Sequence, residues 1–480
     1  MMPNPSVEPT ASGLRPQRRL TSNVAPQEAA VKIITPPLVV EDPDAFENDA
    51  LERKSFGAAL VNLVTRSNDA LVISLDGKWG EGKTTFVKMW RGLLAEAGVP
   101  SIYIDAFEND HVDDAFISIA SAITSYIESH AEDGDKADFK EKAKRVGVQL
   151  LSWSAKVGIK AATLGVVKET DIEALADIKN DIATGASGVI ADFIKERLSS
   201  HSKDVELVQS FKALLSELPS RIRGNNSNRL IVIIDELDRC KPSFSVEILE
   251  KIKHLFSVPN VTFVLVMHKE QLEEAIKCVY GNNIDAHTYL QKFINLETSI
   301  PKRTNDRYNN DLNVYSRRLL KLHELETWGD DMNIVDCLDP LAQHFELSLR
   351  QLEKVYTNLA IFYGTSSENN FRLVPIITFI CVVKVVKPNL FHRLLTRRIS
   401  FAELCTEIDM VKLDESKEEQ RPLYLLREWI RFSLLSEEEF KAIDANDPIR
   451  KHDSSLWKYN VERERLIPIF CQQLSLFVVN

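Results

Sequence analysis

The sequence predicts an α/β protein: a mainly parallel sheet covered by helices, interrupted by a helical insertion and followed by a helical C-terminal region. Three observations carry that prediction. Short β-branched runs alternate with helical patterns between Ala70 and Met267, a charged helical stretch splits them, and no comparable apolar strand run follows Pro301. The chain has 480 residues, room for about three units at roughly 150 residues each. Hydrophobic residues at 44% and charged residues at 27% suffice for packed cores and exclude wholesale disorder. A formal net charge of −11 argues against a surface that coats nucleic acid or an anionic membrane, while leaving room for a local basic groove.

The elements follow in order. Residues 1–32 are rich in Pro, Ser, Ala, Gln and Arg and lack the apolar centre of a secretory signal, so a mobile tail is expected. Ala70–Asp76 is a short apolar run stopping at a glycine, the mark of a buried parallel strand. Phe86–Ala97 has helical spacing and ends at Gly98; Pro100–Asp105 reads as a second strand and Ala115–Ile127 as a helix. The insertion, about 133–218, is dominated by Lys, Glu, Asp and Ala at helical period. Leu230–Ile234 and Val261–Met267 are strands, with a helix over Ser245–Phe256 between them. The α/β domain is thus expected over 33–300 and the helical region over 301–480.

Two apolar stretches are shorter than the roughly 20 residues a bilayer span needs. Val146–Val167 is interrupted by Lys156 and Lys160; Leu373–Val383 is bounded by Arg372 and Lys384 and contains Pro375. Both are expected as buried helices. Six cysteines without a CxxC pair fit reduced thiols. A cytoplasmic chain without membrane contact is the expectation.

The strongest motif is Gly77-Lys78-Trp79-Gly80-Glu81-Gly82-Lys83-Thr84, which fits G-x-x-x-x-G-K-[ST] between a strand and a helix. Gly77, Gly80 and Gly82 let the backbone curl so that successive N–H groups face one anion, and the helix N-terminus adds partial positive charge. In this pattern Lys83 reaches the β- and γ-phosphates, Thr84 supplies a ligand to Mg²⁺, and Thr85 is a candidate for the α-phosphate.

Leu230–Cys240 (LIVIIDELDRC) runs an apolar strand directly into Asp235 and Glu236, as at the carboxyl edge of a parallel sheet. Asp235 is expected to hold the same Mg²⁺, usually through water, and Glu236 to be the carboxylate that orients or activates the attacking water. That base favours hydrolysis over a small-molecule kinase. Asp238 and Arg239 are expected to pair locally.

These residues resemble the KAP family of P-loop NTPases. The resemblance rests on the G-x-W-G-x-G-K loop at Gly77–Lys83 with Trp79 and on Asp105-Ala106-Phe107 after the second strand. It also rests on Ile234–Cys240 (IDELDRC), Tyr289–Ile294 (YLQKFI) and a preceding helix in Asp49–Leu63. Leu349–Asn358 is similar to a helix that follows the family's core. The resemblance implies an ATPase with an additional strand between the phosphate loop and the acidic strand, with ATP and Mg²⁺ as cofactors. It also implies a switch or scaffold role, in bacteria often in phage exclusion. Many members insert membrane helices where this chain is charged. His268 stands where the family commonly has Asp; γ-phosphate sensing and a structural or helix-capping role are the two readings.

Arg350, at the start of a post-core helix, is a further candidate for γ-phosphate contact. Arg317, Arg318 and Lys321, and Arg393, Arg397 and Arg398, make basic helical faces without interleaved aromatics, so nucleic acid is not favoured. No metal besides Mg²⁺ is expected. A nucleotide-dependent switch acting on protein partners or its own copies is the leading expectation. A nucleic-acid-stimulated ATPase, a P-loop small-molecule kinase and a silent ATP-binding scaffold are the alternatives.

Overall fold

The computed structural model describes residues 31–36, 45–111, 114–130, 137, 140–141, 208–222, 225, 227–303, 310–444 and 461–477, with single positions 447, 449, 450, 452 and 456. Residues 1–30 of the expected tail, and most of the 133–218 insertion including Val146–Val167, lie outside the described residues.

Five strands form one parallel sheet in the order β2-β3-β4-β1-β5. They are β1 (Val72–Asp76), β2 (Ser101–Asp105), β3 (Leu230–Asp235), β4 (Val261–Met267) and β5 (Leu296–Ser299). Helix α1 (Lys54–Arg66) precedes β1, and α2 (Lys83–Glu96) and α3 (Ala115–His130) follow β1 and β2. Then come α4 (Pro242–Lys251), α5 (Lys269–Tyr280) and α6 (Ala286–Leu290). The expected helix Ser245–Phe256 is α4 closing in a single π-helical turn, Ile252–Phe256.

Strand alternation sorts side chains to two faces. Ile73, Leu75, Ile231, Ile233, Val264 and Val266 pack under α1 and α2. Their neighbours, among them Val72, Val232, Phe263 and Leu265, pack under α3, α4, α5 and the helical residues 208–221. Because both faces are covered, the central strands β3 and β4 are buried along their whole length, the reason they read as unbroken apolar runs.

The sequence reading lacks β5. Its residues, Leu-Glu-Thr-Ser, are mostly exposed because the strand sits at the sheet edge against β1 alone, so no apolar run marks it.

From Asp311 the chain is helical. The helices are α7 (Asp311–His323), α8 (Asp331–His344), α9 (Leu349–Gly364), α10 (Val374–Val386), α11 (Pro388–Leu395), α12 (Phe401–Glu407), α13 (Arg421–Leu434), α14 (Glu437–Ala442) and α15 (Leu466–Ser475). They enclose a core of their own, from Leu319 to Leu474. Residues 374–383, apart from Pro375, are buried, so the apolar run at Leu373–Val386 is the central helix of this core. No described helix is long and apolar enough to cross a membrane.

Residues 31–36 lie against α7. Lys32 donates its backbone N–H to the His323 carbonyl at 3.0 Å, and the Thr35 hydroxyl meets His323 Nε2 at 3.0 Å.

Candidate functional site

The site is built where β1, β3 and β4 end. β1 runs into the loop Gly77–Gly82, and α2 begins at Lys83. Gly80 and Gly82 adopt φ of +81° and +82°, left-handed values that let the loop bend back over its own strand. The Lys83 ammonium folds back into that bend, donating to the Gly77 carbonyl at 2.6 Å and the Lys78 carbonyl at 3.3 Å. Burial lowers its pKa, while Asp238, Asp235, Glu81 and Asp76 pull it back up. Five charged groups therefore converge on one small volume.

Asp235 reaches this volume by strand parity. It lies two residues beyond Ile233, on the face packed by α2, and Ile233 is in register with Tyr103 of β2. A one-residue slip would aim the carboxylate at the opposite face. It is buried and accepts hydrogen bonds from the Tyr103 hydroxyl at 3.0 Å and the Glu236 N–H at 2.8 Å, and the Thr84 side chain also favours its charged form. Burial pushes its pKa up, and those donors oppose the shift, Thr84 most. The two residues expected to share a divalent cation are thus brought together, although β4 separates β3 from the strand that leads into the loop.

Glu236 follows in a left-handed conformation, φ 60°, which turns its side chain out of the strand line. Its carboxylate pairs with Arg239 Nη1 at 2.6 Å. The local pair is therefore Glu236–Arg239, where Asp238–Arg239 was expected. Asp238 instead accepts from the Trp79 indole N–H. Burial raises the Glu236 pKa, Arg239 lowers it, and Asp235, Asp105 and Asp238 raise it further.

Trp79 is 47% exposed and places its ring edge-on to His268, centroids 5.8 Å apart. His268 precedes α5 without a side-chain capping bond, so it is no helix cap. Its Nε2 lies 3.6 Å from Glu270, and its buried Nδ1 has no partner among the described residues. A cavity of 420 Å³ opens beside the loop, bounded by Gly77, Lys78, Glu81, His268 and Lys302.

Arg350 is brought to the loop through its backbone. Its N–H donates to the Gly80 carbonyl at 3.2 Å, and its side chain is exposed. A Cβ on Gly80 would stand 2.8 Å from Arg350 Cβ and 2.9 Å from Ser348 Oγ. Glu81 is turned to the protein side: Oε2 accepts from Lys78 N–H at 2.8 Å, and Oε1 pairs with Lys302. Thr85 sits half-buried in the first turn of α2. Of the basic faces, Arg393 pairs with Glu407 and Arg397 with Glu464, leaving little unbalanced charge there.

Sequence reasoning missed Tyr103, Arg53 and Lys302. Tyr103 had a signal, a polar-tipped residue facing β3 at the sheet's carboxyl end. Arg53 and Lys302 had none, since only the folded chain brings them to the loop.

Donor chemistry and geometry fit a Mg²⁺-nucleotide: an ammonium at the mouth of a glycine bend, and a hydroxyl–carboxylate pair beside it. The family comparison agrees with that fit. The model of the KAP family P-loop domain matches residues 53–366. The chain is similar to the phage T7 exclusion protein of Escherichia coli K12, 22% identical over 74% of this chain and 46% of that one. It is also similar to an uncharacterised protein, MJ0182, of Methanocaldococcus jannaschii, 31% identical over 25% of this chain and 64% of that one. The chain thus spans less than two thirds of either relative. Among solved structures, the Aeropyrum pernix ORC2 protein in ADPNP–ADP complexes aligns at 13% identity and a TM-score of 0.34, over 88% of this chain and 94% of that one. The PCH-2 protein of C. elegans aligns at 14% and 0.30, over 73% and 71%. With the family's loop, acidic strand and strand order all in place, this chain belongs to the KAP family of P-loop NTPases.

Proposed function

We propose that the chain binds ATP with Mg²⁺, hydrolyses it, and uses the nucleotide state as a switch on the helical region and its protein partners. The observation that carries this reading is the buried Asp235 carboxylate, brought beside Thr84 and the Lys83 ammonium that folds into the glycine bend. When bound, Mg²⁺ supplies charge neutralisation across the β- and γ-phosphates. Lys83 exchanges the carbonyls of Gly77 and Lys78 for phosphate oxygens, and the N–H groups of Gly80–Thr84 hold the anion, with Thr85 at the α-phosphate. Trp79 closes over the loop beside His268. Asp235 and Thr84 hold the metal. Glu236 takes the proton of the attacking water; burial raises its pKa, which strengthens it as a base, and Arg239 opposes that rise. Arg350, on the helix that touches Gly80, senses the γ-phosphate from the helical side.

The switch reading draws on the Gly80–Arg350 contact, the point where loop and helical region meet. Partner proteins or further copies of the chain are the proposed targets, in the cytoplasm. The name of the E. coli relative supports phage exclusion as the biological setting. A nucleic-acid-stimulated ATPase draws less support, because Arg393 and Arg397 are already ion-paired.

The test is turnover and binding on the purified chain. Lys83→Ala is expected to weaken nucleotide binding at least a hundredfold, and Glu236→Gln to keep ATP bound while lowering kcat by about 10²–10⁴-fold. Normal turnover by Glu236→Gln would remove Glu236 from the mechanism. Phosphate transfer to a metabolite, without release of free phosphate, would replace hydrolysis by kinase chemistry.

A further inference from the structure

Behind the phosphate loop lies a buried arginine that the catalytic reading does not use. Arg53 precedes α1 and is 5% exposed. One arm of its guanidinium, Nη1, donates to the Glu81 carbonyl at 3.0 Å. The other, Nη2, lies 3.8 Å from Asp311 Oδ2, the first residue of α7 in the helical region. Asp311 also accepts from Arg303 Nε at 2.9 Å, and Arg303 Nη1 pairs with Glu52, next to Arg53, at 2.7 Å. Burying a guanidinium is costly unless anions and acceptors surround it, and removing one partner leaves the rest exposed to that cost. Burial lowers the Arg53 pKa, and Asp311, Asp49 and Glu81 oppose the shift.

The bond to Glu81 has a geometric consequence. A trans peptide is planar, with C=O and N–H on opposite sides. Fixing the Glu81 carbonyl toward Arg53 therefore turns the Gly82 N–H away from it, the orientation an anion nest requires. Gly82 itself passes close by: a Cβ there would stand 3.3 Å from Arg53 Nη1. Lysine offers one ammonium where this site uses a fork, so it meets the loop carbonyl or Asp311 but not both in this geometry.

We infer that Arg53 is a positioning residue that locks the Glu81–Gly82 peptide in its phosphate-ready orientation and, through Asp311, makes nucleotide affinity depend on the docked helical region. This rests on the nucleotide-binding reading above.

The experiment is calorimetric titration of the full chain with Mg-ATP, at a temperature where circular dichroism shows each variant folded, alongside steady-state turnover. Arg53→Met is expected to weaken binding about tenfold or more, the scale of one lost charge-assisted hydrogen bond. Arg53→Lys should lose less, and Asp311→Asn should shift affinity in the same direction. In all three, KM should rise while kcat at saturating ATP stays within about twofold, a split that a general loss of folded protein does not produce. Should Arg53→Met fail to fold, Arg53→Lys and Asp311→Asn decide. Wild-type affinity in folded Arg53→Lys and Asp311→Asn overturns the inference, as does a fall in kcat with KM unchanged. If the wild-type chain binds no nucleotide, or Lys83→Ala binds as tightly as wild type, the functional reading itself fails and takes this inference with it.

Discussion

The two halves of the molecule keep their information in different places. In the α/β half, chemistry sits at strand ends: Asp76, Asp105 and Asp235 close three strands of one sheet, and the glycine bend begins one residue after the first. In the helical half, polar residues mostly serve helices. Ser348, Ser400 and Ser436 each form a capping box, and Lys384 donates to the carbonyls of Leu474 and Phe477 near the end of α15. One half therefore shows its function in short motifs, and the other shows only that it folds. Among the contacts that join them, three gather at one loop: Arg350 N–H on Gly80, Lys302 on Glu81, and Arg53 between Glu81 and Asp311. A ligand bound in that loop would act on the joint itself, the leverage on a separate core that the proposed switch requires.

The sharpest way to break this picture is to damage one core at a time. Phe263 lies in the centre of the sheet and Phe379 in the centre of α10, both fully buried. Truncating either to Ala should cost about 3–5 kcal/mol. If the cores are distinct, calorimetry of Phe379→Ala should show two melting steps, with Mg-ATP raising the upper one most. One shared transition in both variants would make the joint strong enough to fuse the halves.

A smaller effect is expected at the joint. Gly80→Ala adds a Cβ at φ +81° and drives it into Arg350 and Ser348. A cost of about 1–3 kcal/mol is expected from strain and overpacking. Tighter susceptibility to protease in the helical half should accompany weaker nucleotide binding. Unchanged proteolysis would place the coupling elsewhere.

The smallest effect concerns the segment at residues 31–36. His323 is buried, its Nδ1 2.5 Å from the Lys32 carbonyl and its ring stacked near Tyr356. Burial lowers its pKa below 6.5, only partly offset by the Lys32 bond. The unfolded chain then takes up the proton more readily, so stability is full above about pH 6.5 and falls as pH drops through that value. From pH 7 to 6 stability should therefore fall, in the direction His323 sets. His323→Gln should flatten that part of the pH–melting curve; an identical slope would show that His323 is not the titrating group.

Much of the site was legible because its parts are short and periodic. The glycine spacing, the lysine and threonine after it, and an apolar run ending in two acids need only a strand-turn-helix to make sense. Strand β5 was illegible for the opposite reason: an exposed edge strand has no apolar pattern to declare it. The partner of Arg239 was misread because sequence adjacency favours Asp238, while the left-handed turn at Glu236 brings the more distant carboxylate onto the guanidinium.

By itself, then, the sequence determined the phosphate loop, the acidic strand end, four of the five strands and the helical character of the rest, because each depends on residues within a few turns of one another. The family resemblance implied an additional strand between the loop strand and the acidic strand; only the tertiary structure decided that β4 is that strand, that Tyr103 meets Asp235, and that Arg53, Lys302 and Arg350 converge on one bend. Those are pairings between distant segments, fixed by register and by which faces bury together, and no local pattern encodes them.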